Sequence, residues 1–146
     1  LTAFVPEDGK SLSEMRSKVD QYPLTSVIKK TEDGLGFYIP AKYQKDIFYN
    51  DCSKHDIKLA SEKLCVQAIK PQNTPIKLGV NFKNISKSYI SCLDDRTIPI
   101  ELQKKLAVSI PKENIYKINS GHSPFFSKPA ELASILDKIA SKIHEY

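Results

Sequence analysis

The sequence predicts an α/β fold built on parallel strands. Two short β-type runs, at 85–92 and 115–119, are separated by a helical pattern over 99–107 that opens with a proline. A second amphipathic helix is predicted over 129–144, again with proline in its first turn. Strand, helix and strand in this order form a crossover unit, so the carboxyl ends of both strands lie at one edge of the sheet.

Each predicted strand runs into a polar turn that carries a potential catalytic side chain. Asp95 follows the first strand and His122 follows the second. Reactive residues of parallel α/β proteins collect beyond the carboxyl ends of the strands, so we expect these two side chains to meet. A carboxylate bound to one histidine nitrogen leaves the other as a general base. Spacing alone fits a turn-capping acid and a satisfied core histidine equally well.

The remaining elements follow from caps, turns and apolar periodicity. Ser11 or Ser13 can cap a helix that runs to residue 22, with Glu14 as the capping-box partner of Ser11. A hairpin is predicted over 27–40. In the turn of this hairpin, we expect positive φ angles at Gly34 and Gly36.

Two helices are predicted after the hairpin, over 41–50 and 53–69, and Ser53 caps the second. Prolines within 70–75 are expected to end regular structure. The second helix is predicted to bury a broad apolar face made of Ile57, Leu59, Ala60, Leu64, Cys65 and Ala68. The final helix is predicted to bury Leu132, Ile135, Leu136, Ile139 and Ile143.

Composition indicates a soluble single-domain chain. It has 146 residues, 40% of them hydrophobic, and a net charge of +5 from 22 Lys and Arg against 17 acids. The lysines are scattered, which favours a solvated surface over a nucleic-acid partner. No apolar run is long enough to predict a membrane span, and nothing in the sequence indicates a cofactor. The chain starts inside an apolar run without Met, so we expect its true start upstream or removed.

The three cysteines and His55 are not spaced like the ligands of a metal site. Cys52, Cys65 and Cys92 are an odd number, and we expect reduced thiols, with Cys65 and Cys92 buried, in a cytoplasmic protein. His55 lies in the first turn of a predicted helix and has no second ligand at metal spacing, so we expect a surface residue and no metal site.

Four segments together carry a resemblance to a known family. They read CLDDRTIP at 92–99, SGHSPFFSKPAELASIL at 120–136, LTAFVPEDGKSL at 1–12 and IFYNDCSKHDIKLASEKLCVQ at 47–67. In this combination the chain resembles the C-terminal half of an α/β-hydrolase-fold protein, in the branch of plant methylesterases, hydroxynitrile lyases and esterase-like bacterial relatives. The resemblance implies a partial α/β-hydrolase fold: the last strands of the parallel sheet with flanking helices, and a mainly helical lid with a small hairpin.

The resemblance also assigns boundaries and roles. It implies the end of a core strand at 1–5, a lid at 6–72 and a C-terminal core segment at 73–146. The acid is expected at Asp95 rather than Asp94, and the base at His122. Candidate apolar walls of a substrate site, by position, are Phe125, Phe126, Phe37, Tyr38 and Leu35.

The nucleophile of the family is missing from these residues. Members carry their serine in a G-x-S-x-G turn, which this sequence lacks, and Ser91 and Ser123 do not follow the strand-to-helix pattern of such a turn. Three interpretations follow. The chain contributes to ester hydrolysis of a small apolar substrate with a complementary N-terminal half, it is a non-catalytic remnant that self-associates, or it is a protein-interaction module. Cyanohydrin cleavage also occurs on this scaffold and stays open.

Two strands alone leave one edge of the sheet without its neighbour. The edge that the preceding strand normally fills is expected to present unpaired N–H and C=O groups, and the apolar faces are expected to need cover. We therefore expect a complementary polypeptide or self-association.

Overall fold

The computed structural model describes residues 1–143. In chain order these residues form α1 (Leu12–Ser17), β1 (Lys29–Lys30), β2 (Gly36–Tyr38), α2 (Ala41–Phe48), α3 (Lys54–Lys63), β3 (Gln67–Ala68), α4 (Ile69–Asn73), α5 (Val80–Asn84), β4 (Tyr89–Cys92), α6 (Ile100–Leu106), β5 (Ile115–Ile118), α7 (Pro124–Ser127) and α8 (Pro129–Ile143). Short 3₁₀ helices lie at Pro23–Ser26 and Lys112–Asn114.

The predicted crossover unit is present. Strands β4 and β5 pair in parallel, with Tyr89 opposite Ile115 and Cys92 opposite Ile118, and α6 connects them. Successive side chains point to opposite faces of the sheet. One face packs on α8 through a buried cluster of Ile90, Cys92, Ile118, Leu132 and Ile135. The other face forms a second cluster of Tyr89, Ala107 and Ile110.

The edge of β4 away from β5 is occupied, contrary to the expectation of an open edge. The backbone N–H of Thr2 donates to the carbonyl oxygen of Ile90 at 2.9 Å. Gln103 on α6 is fully buried, and its amide takes both backbone groups of Cys92: Oε1 accepts from the N–H at 3.0 Å and Nε2 donates to the C=O at 2.8 Å. The Gln103 side chain therefore substitutes for a neighbouring strand at this position.

Helix α1 has the predicted capping box but ends early. The Ser11 hydroxyl accepts from the backbone N–H of Glu14 at 3.2 Å, and the Glu14 carboxylate accepts from the N–H of Ser11 at 2.6 Å. The helix stops at Ser17 instead of continuing to residue 22. Gln21 adopts a left-handed φ of 53°, which a helix does not accommodate, and Pro23 then opens a 3₁₀ helix.

The predicted hairpin gains an unpredicted third strand. β2 pairs antiparallel with β1 and, on its other side, with β3. Gly34 has the expected positive φ of 70°, but Gly36 does not. A Cβ at Gly36 would lie 2.4 Å from Cγ1 of Val66 on the segment leading into β3, so any other residue would force that side chain to move.

The second predicted helix is shorter than the sequence indicated. α3 begins after Ser53, which caps it as predicted, and ends at Lys63 because the following residues extend to pair with β2. Tertiary pairing thus overrides local helix preference. The predicted apolar face is wrong for most of its members: Ala60 is buried, Ile57 is half-buried, and the exposed members are Leu59, Leu64, Cys65 and Ala68.

Regular structure continues past Pro71 but ends at Asn73, before Pro75, so the predicted stop within 70–75 is only partly confirmed. Pro71 lies in the first turn of α4, where the missing N–H has no intrahelical partner to lose. In α8, Leu132 and Ile135 are buried and Ile139 is half-buried as predicted, whereas Leu136 is 51% exposed. The side chain of Ile143 and residues 144–146 lie outside the described part.

The predicted lid segment contains α1 to α3 and the small antiparallel sheet, and the predicted core segment contains β4, β5, α6 and α8. Domain boundaries at 5/6 and 72/73 stay predictions. Across residues 1–143, no helix combines the length and the apolar character that crossing a bilayer requires.

Candidate functional site

The turns that follow β4 and β5 are held side by side. Beyond the strands, the ladder continues: the N–H of Leu93 donates to the carbonyl of Ile118 and the N–H of Asp94 to the carbonyl of Ser120, both at 3.0 Å. Asp95 directly follows Asp94 on the first turn, and His122 lies two residues after Ser120 on the second turn. This pairing brings the two predicted site residues to the same edge of the sheet.

The Asp95 carboxylate is completely buried and accepts four hydrogen bonds. Oδ1 accepts from the backbone N–H groups of Thr97 at 2.7 Å and Ile98 at 2.9 Å. Oδ2 accepts from the Thr2 hydroxyl at 2.6 Å and lies 2.9 Å from Nδ1 of His122. An ionised carboxylate only accepts hydrogen bonds, so four donors match that form.

The His122 ring lies between the carboxylate and a cavity. Its side chain is 25% exposed against 0% for Asp95. In the neutral imidazole, a hydrogen bond from Nδ1 to the carboxylate places the proton on that nitrogen and leaves Nε2 as the acceptor. The Phe48 ring flanks the imidazole, with centroids 5.7 Å apart and an interplanar angle of 38°. Chemically, this pair can take a proton at Nε2 and return it.

A mainly apolar cavity of about 410 Å³ opens beside His122. Its size is in the range of small-molecule sites. The walls come from the N-terminal segment, α1, the small sheet and the turn after β4, and include Thr2, Phe4, Arg16, Tyr22, Phe37, Tyr38, Ile39, Phe48, Leu64, Thr97 and Ile98. Arg16 adds a cation to this wall, with its guanidinium 5.6 Å from the centre of the Tyr22 ring.

The predicted wall residues divide into two groups. Phe37 and Tyr38 line the cavity. Phe125 and Phe126 do not: Phe125 is 54% exposed, and Phe126 packs against Phe125 and edge-on against Tyr49. Leu35 is also outside the lining and 71% exposed, because it sits at the tip of the hairpin.

Serines near the two turns are not poised beside His122. Ser91 is 5% exposed within β4, and Ser123 is 2% exposed directly after the histidine. Neither lines the cavity that His122 opens on. Within the described residues, no set of three or more His, Cys, Asp or Glu side chains is arranged to hold a metal ion.

Sequence reasoning missed a polar pair that contacts both turns. The Asp51 carboxylate accepts from the backbone N–H of Gly121 at 2.9 Å. Asn50 Nδ2 donates to the carbonyl oxygen of Asp94 at 3.1 Å and to its carboxylate at 2.8 Å. The available indication was an Asn-Asp dipeptide between two helices, a composition typical of turns that use side-chain hydrogen bonds.

The three cysteines differ in environment. Cys92 is fully buried as predicted, and burial raises the pKa of its thiol to about 11. Cys52 is half-buried, and its pKa is also raised to about 11 by desolvation, with Asp51 and Asp56 adding to the effect. Cys65 is exposed, so its predicted burial is wrong: α3 ends before reaching it. The exposed position of His55 agrees with expectation.

Comparisons with known proteins find similar sequences and similar structures. No protein-family model matches it. It is 34% identical over 98 residues to the chloroplastic protein designated methylesterase 11 of Arabidopsis thaliana, a stretch that is 66% of this chain and 25% of that protein. A pyrethroid hydrolase from Sphingobium faniae has a TM-score of 0.82 at 22% identity, over 99% of this chain and 60% of the hydrolase.

A second solved structure has the same fold. Polyneuridine aldehyde esterase has a TM-score of 0.77 at 18% identity, over 94% of this chain and 59% of the esterase. The chain therefore spans less than two thirds of the length of each of these relatives.

Proposed function

Because the chain belongs to the α/β-hydrolase family, in the branch of plant methylesterases and related esterases, we propose that it provides the acid and the base for carboxylic-ester hydrolysis. Asp95 is the acid and His122 the base of a Ser-His-Asp triad. The nucleophile and the oxyanion hole come from polypeptide outside these 146 residues, as a complementary N-terminal half of the fold.

One observation carries this proposal: the 2.9 Å contact between His122 Nδ1 and a carboxylate oxygen of Asp95 that is completely buried. Such a carboxylate fixes the tautomer of the imidazole and stabilises the imidazolium that forms when Nε2 takes a proton. Nε2 then returns the proton to the leaving alcohol. Neither side chain attacks the ester, so the reaction needs a serine placed near Nε2.

The cavity beside His122 supports a small, largely apolar ester as the substrate. Its volume of about 410 Å³ admits a compact acyl or alkyl group, and aromatic and aliphatic walls favour apolar surface. The family scaffold also supports lyase chemistry, so the walls alone do not choose the reaction. Hydrolysis is the proposal because it needs only the triad and an oxyanion hole.

The test starts from the particle that contains this chain, purified gently from its own source. Native mass spectrometry should find a second, unlike polypeptide, and a fluorophosphonate should label a serine in that polypeptide. His122→Ala should reduce the labelling rate by about 10³-fold or more, since the serine then lacks its base. His55→Ala is the matched control, because His55 is exposed on α3, and it should label normally.

A second candidate function has its own supporting observation. Large apolar side chains outside the lining of the cavity beside His122 are exposed, with Val108 at 84%, Val80 at 74% and Leu35 at 71%. Such surface favours self-association or a protein partner without catalysis. A homo-oligomer in which no serine labels would contradict the hydrolase proposal and support this one.

A further inference from the structure

A polar pair on the loop after α2 contacts the two site turns at equivalent positions. Asn50 binds Asp94, the residue before Asp95, through both its carbonyl and its carboxylate. Asp51 binds the backbone N–H of Gly121, the residue before His122. Asn50 thus holds the residue before Asp95, and the adjacent Asp51 holds the residue before His122.

Gly121 shows how closely this pair fits the histidine turn. The glycine is buried, and a Cβ at its position would lie 2.3 Å from Oδ1 of Asn50 and 2.7 Å from Oδ1 of Asp51. Its backbone does not require glycine, because its φ is not in the left-handed region. A Cβ here would instead displace the Asn50 and Asp51 side chains, which occupy the space beside the glycine.

The loop that carries the pair is itself anchored. The Thr97 hydroxyl donates to the carbonyl oxygen of Ile47 at 2.7 Å, which ties the end of α2 to the turn after β4. Tyr49 is buried and contacts the rings of Phe48 and Phe126. Asn50 and Asp51 therefore link both turns to a packed segment of the fold.

We propose that Asn50 and Asp51 are positioning residues that hold the acid turn and the histidine turn in register, so that Nδ1 of His122 stays bonded to Asp95. The inference rests on the proposed function, in which that bond prepares the general base. Proton transfer depends steeply on geometry, and a displacement of about 1 Å in a catalytic group can cost about 10²-fold in rate. Neither residue contacts the reacting atoms.

The test reads the His122 imidazole directly and needs no substrate. The protein is labelled with ¹⁵N-histidine, and the resonances of its three histidines are assigned with His122→Gln as reference. Exchange of the Nδ1 proton with water is then measured by NMR. In Asp51→Ala we expect exchange about tenfold faster than in the unaltered protein, because a hydrogen bond to a charged acceptor is lost from the turn.

Two variants separate positioning from charge and from general damage. Asp51→Asn keeps an oxygen acceptor for the Gly121 N–H, so exchange should stay within about threefold of the original. Asp46→Ala removes an acid from an exposed site on α2 and should change nothing. If Asp51→Ala does not fold, Asn50→Ala offers an independent test through the acid turn, with the same expected increase.

Unchanged exchange in the folded Asp51→Ala or Asn50→Ala variant would overturn the proposal. Equal acceleration in Asp51→Asn and Asp51→Ala would also overturn it, since charge and not the hydrogen bond would then be responsible. Because the measurement is made without turnover, a failure of the serine-labelling experiment leaves this result intact, and the reverse also holds.

Discussion

Replacing the Asp95 carboxylate tests the centre of the candidate site most directly. Asp95→Asn keeps the size of the side chain and keeps one oxygen toward the N–H groups of Thr97 and Ile98. Its NH₂ group then faces the Thr2 hydroxyl and Nδ1 of His122, which both donate to the carboxylate in the unaltered protein. The hydroxyl can rotate and accept, but Nδ1 can accept only by losing its proton. The imidazole proton should therefore move to Nε2.

The structure also sets the size of the stability change. Hydrogen bonds to a charged group contribute about 1.5–3 kcal/mol each, and neutral ones about 0.5–1.5 kcal/mol. Asp95→Asn converts two such bonds at Oδ2 and weakens two at Oδ1, so we expect a loss of roughly 1–3 kcal/mol. Asp95→Ala leaves two buried N–H groups, of Thr97 and Ile98, without their acceptor, at roughly 1–3 kcal/mol each. The loss should then be about 2–6 kcal/mol.

Urea unfolding measures the free energies, and ¹⁵N chemical shifts of the His122 ring report which nitrogen carries the proton. The reasoning fails if Asp95→Asn leaves the proton on Nδ1, or if Asp95→Ala costs no more than Asp95→Asn. The first result would mean that the carboxylate does not set the tautomer. The second would mean that it does not support the turn.

Three further predictions concern the interior and the thiols. Gln103→Leu removes the amide that is bonded to both backbone groups of Cys92 and to the carbonyl of Ile98. Urea unfolding should therefore show a decrease of about 2–5 kcal/mol in the free energy of unfolding. An unchanged midpoint would contradict the conclusion that Gln103 satisfies the edge of β4. Iodoacetamide at pH 8 should modify Cys65 first and leave Cys92 unmodified until the protein unfolds, as read by mass spectrometry. Burial raises the pKa of Cys92 from 9.0 to about 11, so the unfolded thiol loses its proton first and stability should fall between those pH values, by up to about 1.4 kcal/mol per pH unit. Cys92→Ser does not ionise between those pH values, so the variant should show a shallower decline. An equally steep decline would refute the attribution of the pH dependence to the Cys92 thiol.

The local sequence pattern was sufficient to predict the crossover unit and the contact between Asp95 and His122. Both depend on short strands that end in polar turns, and periodicity and parallel topology then dictate the edge on which the turns meet. The α/β-hydrolase resemblance added the family, and the comparisons agree with it.

The same reasoning could not predict hydrogen bonds and strand pairings between residues that are far apart in the sequence. Thr2 and Asp95 are separated by 93 positions, and nothing in the local pattern around either one indicates their hydrogen bond. The β3 strand forms only because β2 is there to pair with, in a stretch whose own composition favours helix. Asp51 is likewise recognisable as the acceptor of the Gly121 N–H only after the loop that follows α2 has folded against the turns.

The buried amide of Gln103 also decides how another polypeptide would recognise this chain. Edge strands normally invite a foreign strand through their repeating main-chain groups. Along the outer side of β4, Ile90 already receives Thr2, and Cys92 is satisfied at both its groups by a side chain. Addition of a strand there would first have to extract a fully buried glutamine. Along this edge, a partner polypeptide would therefore have to recognise side chains, whose shape depends on sequence, and not the main-chain groups of β4.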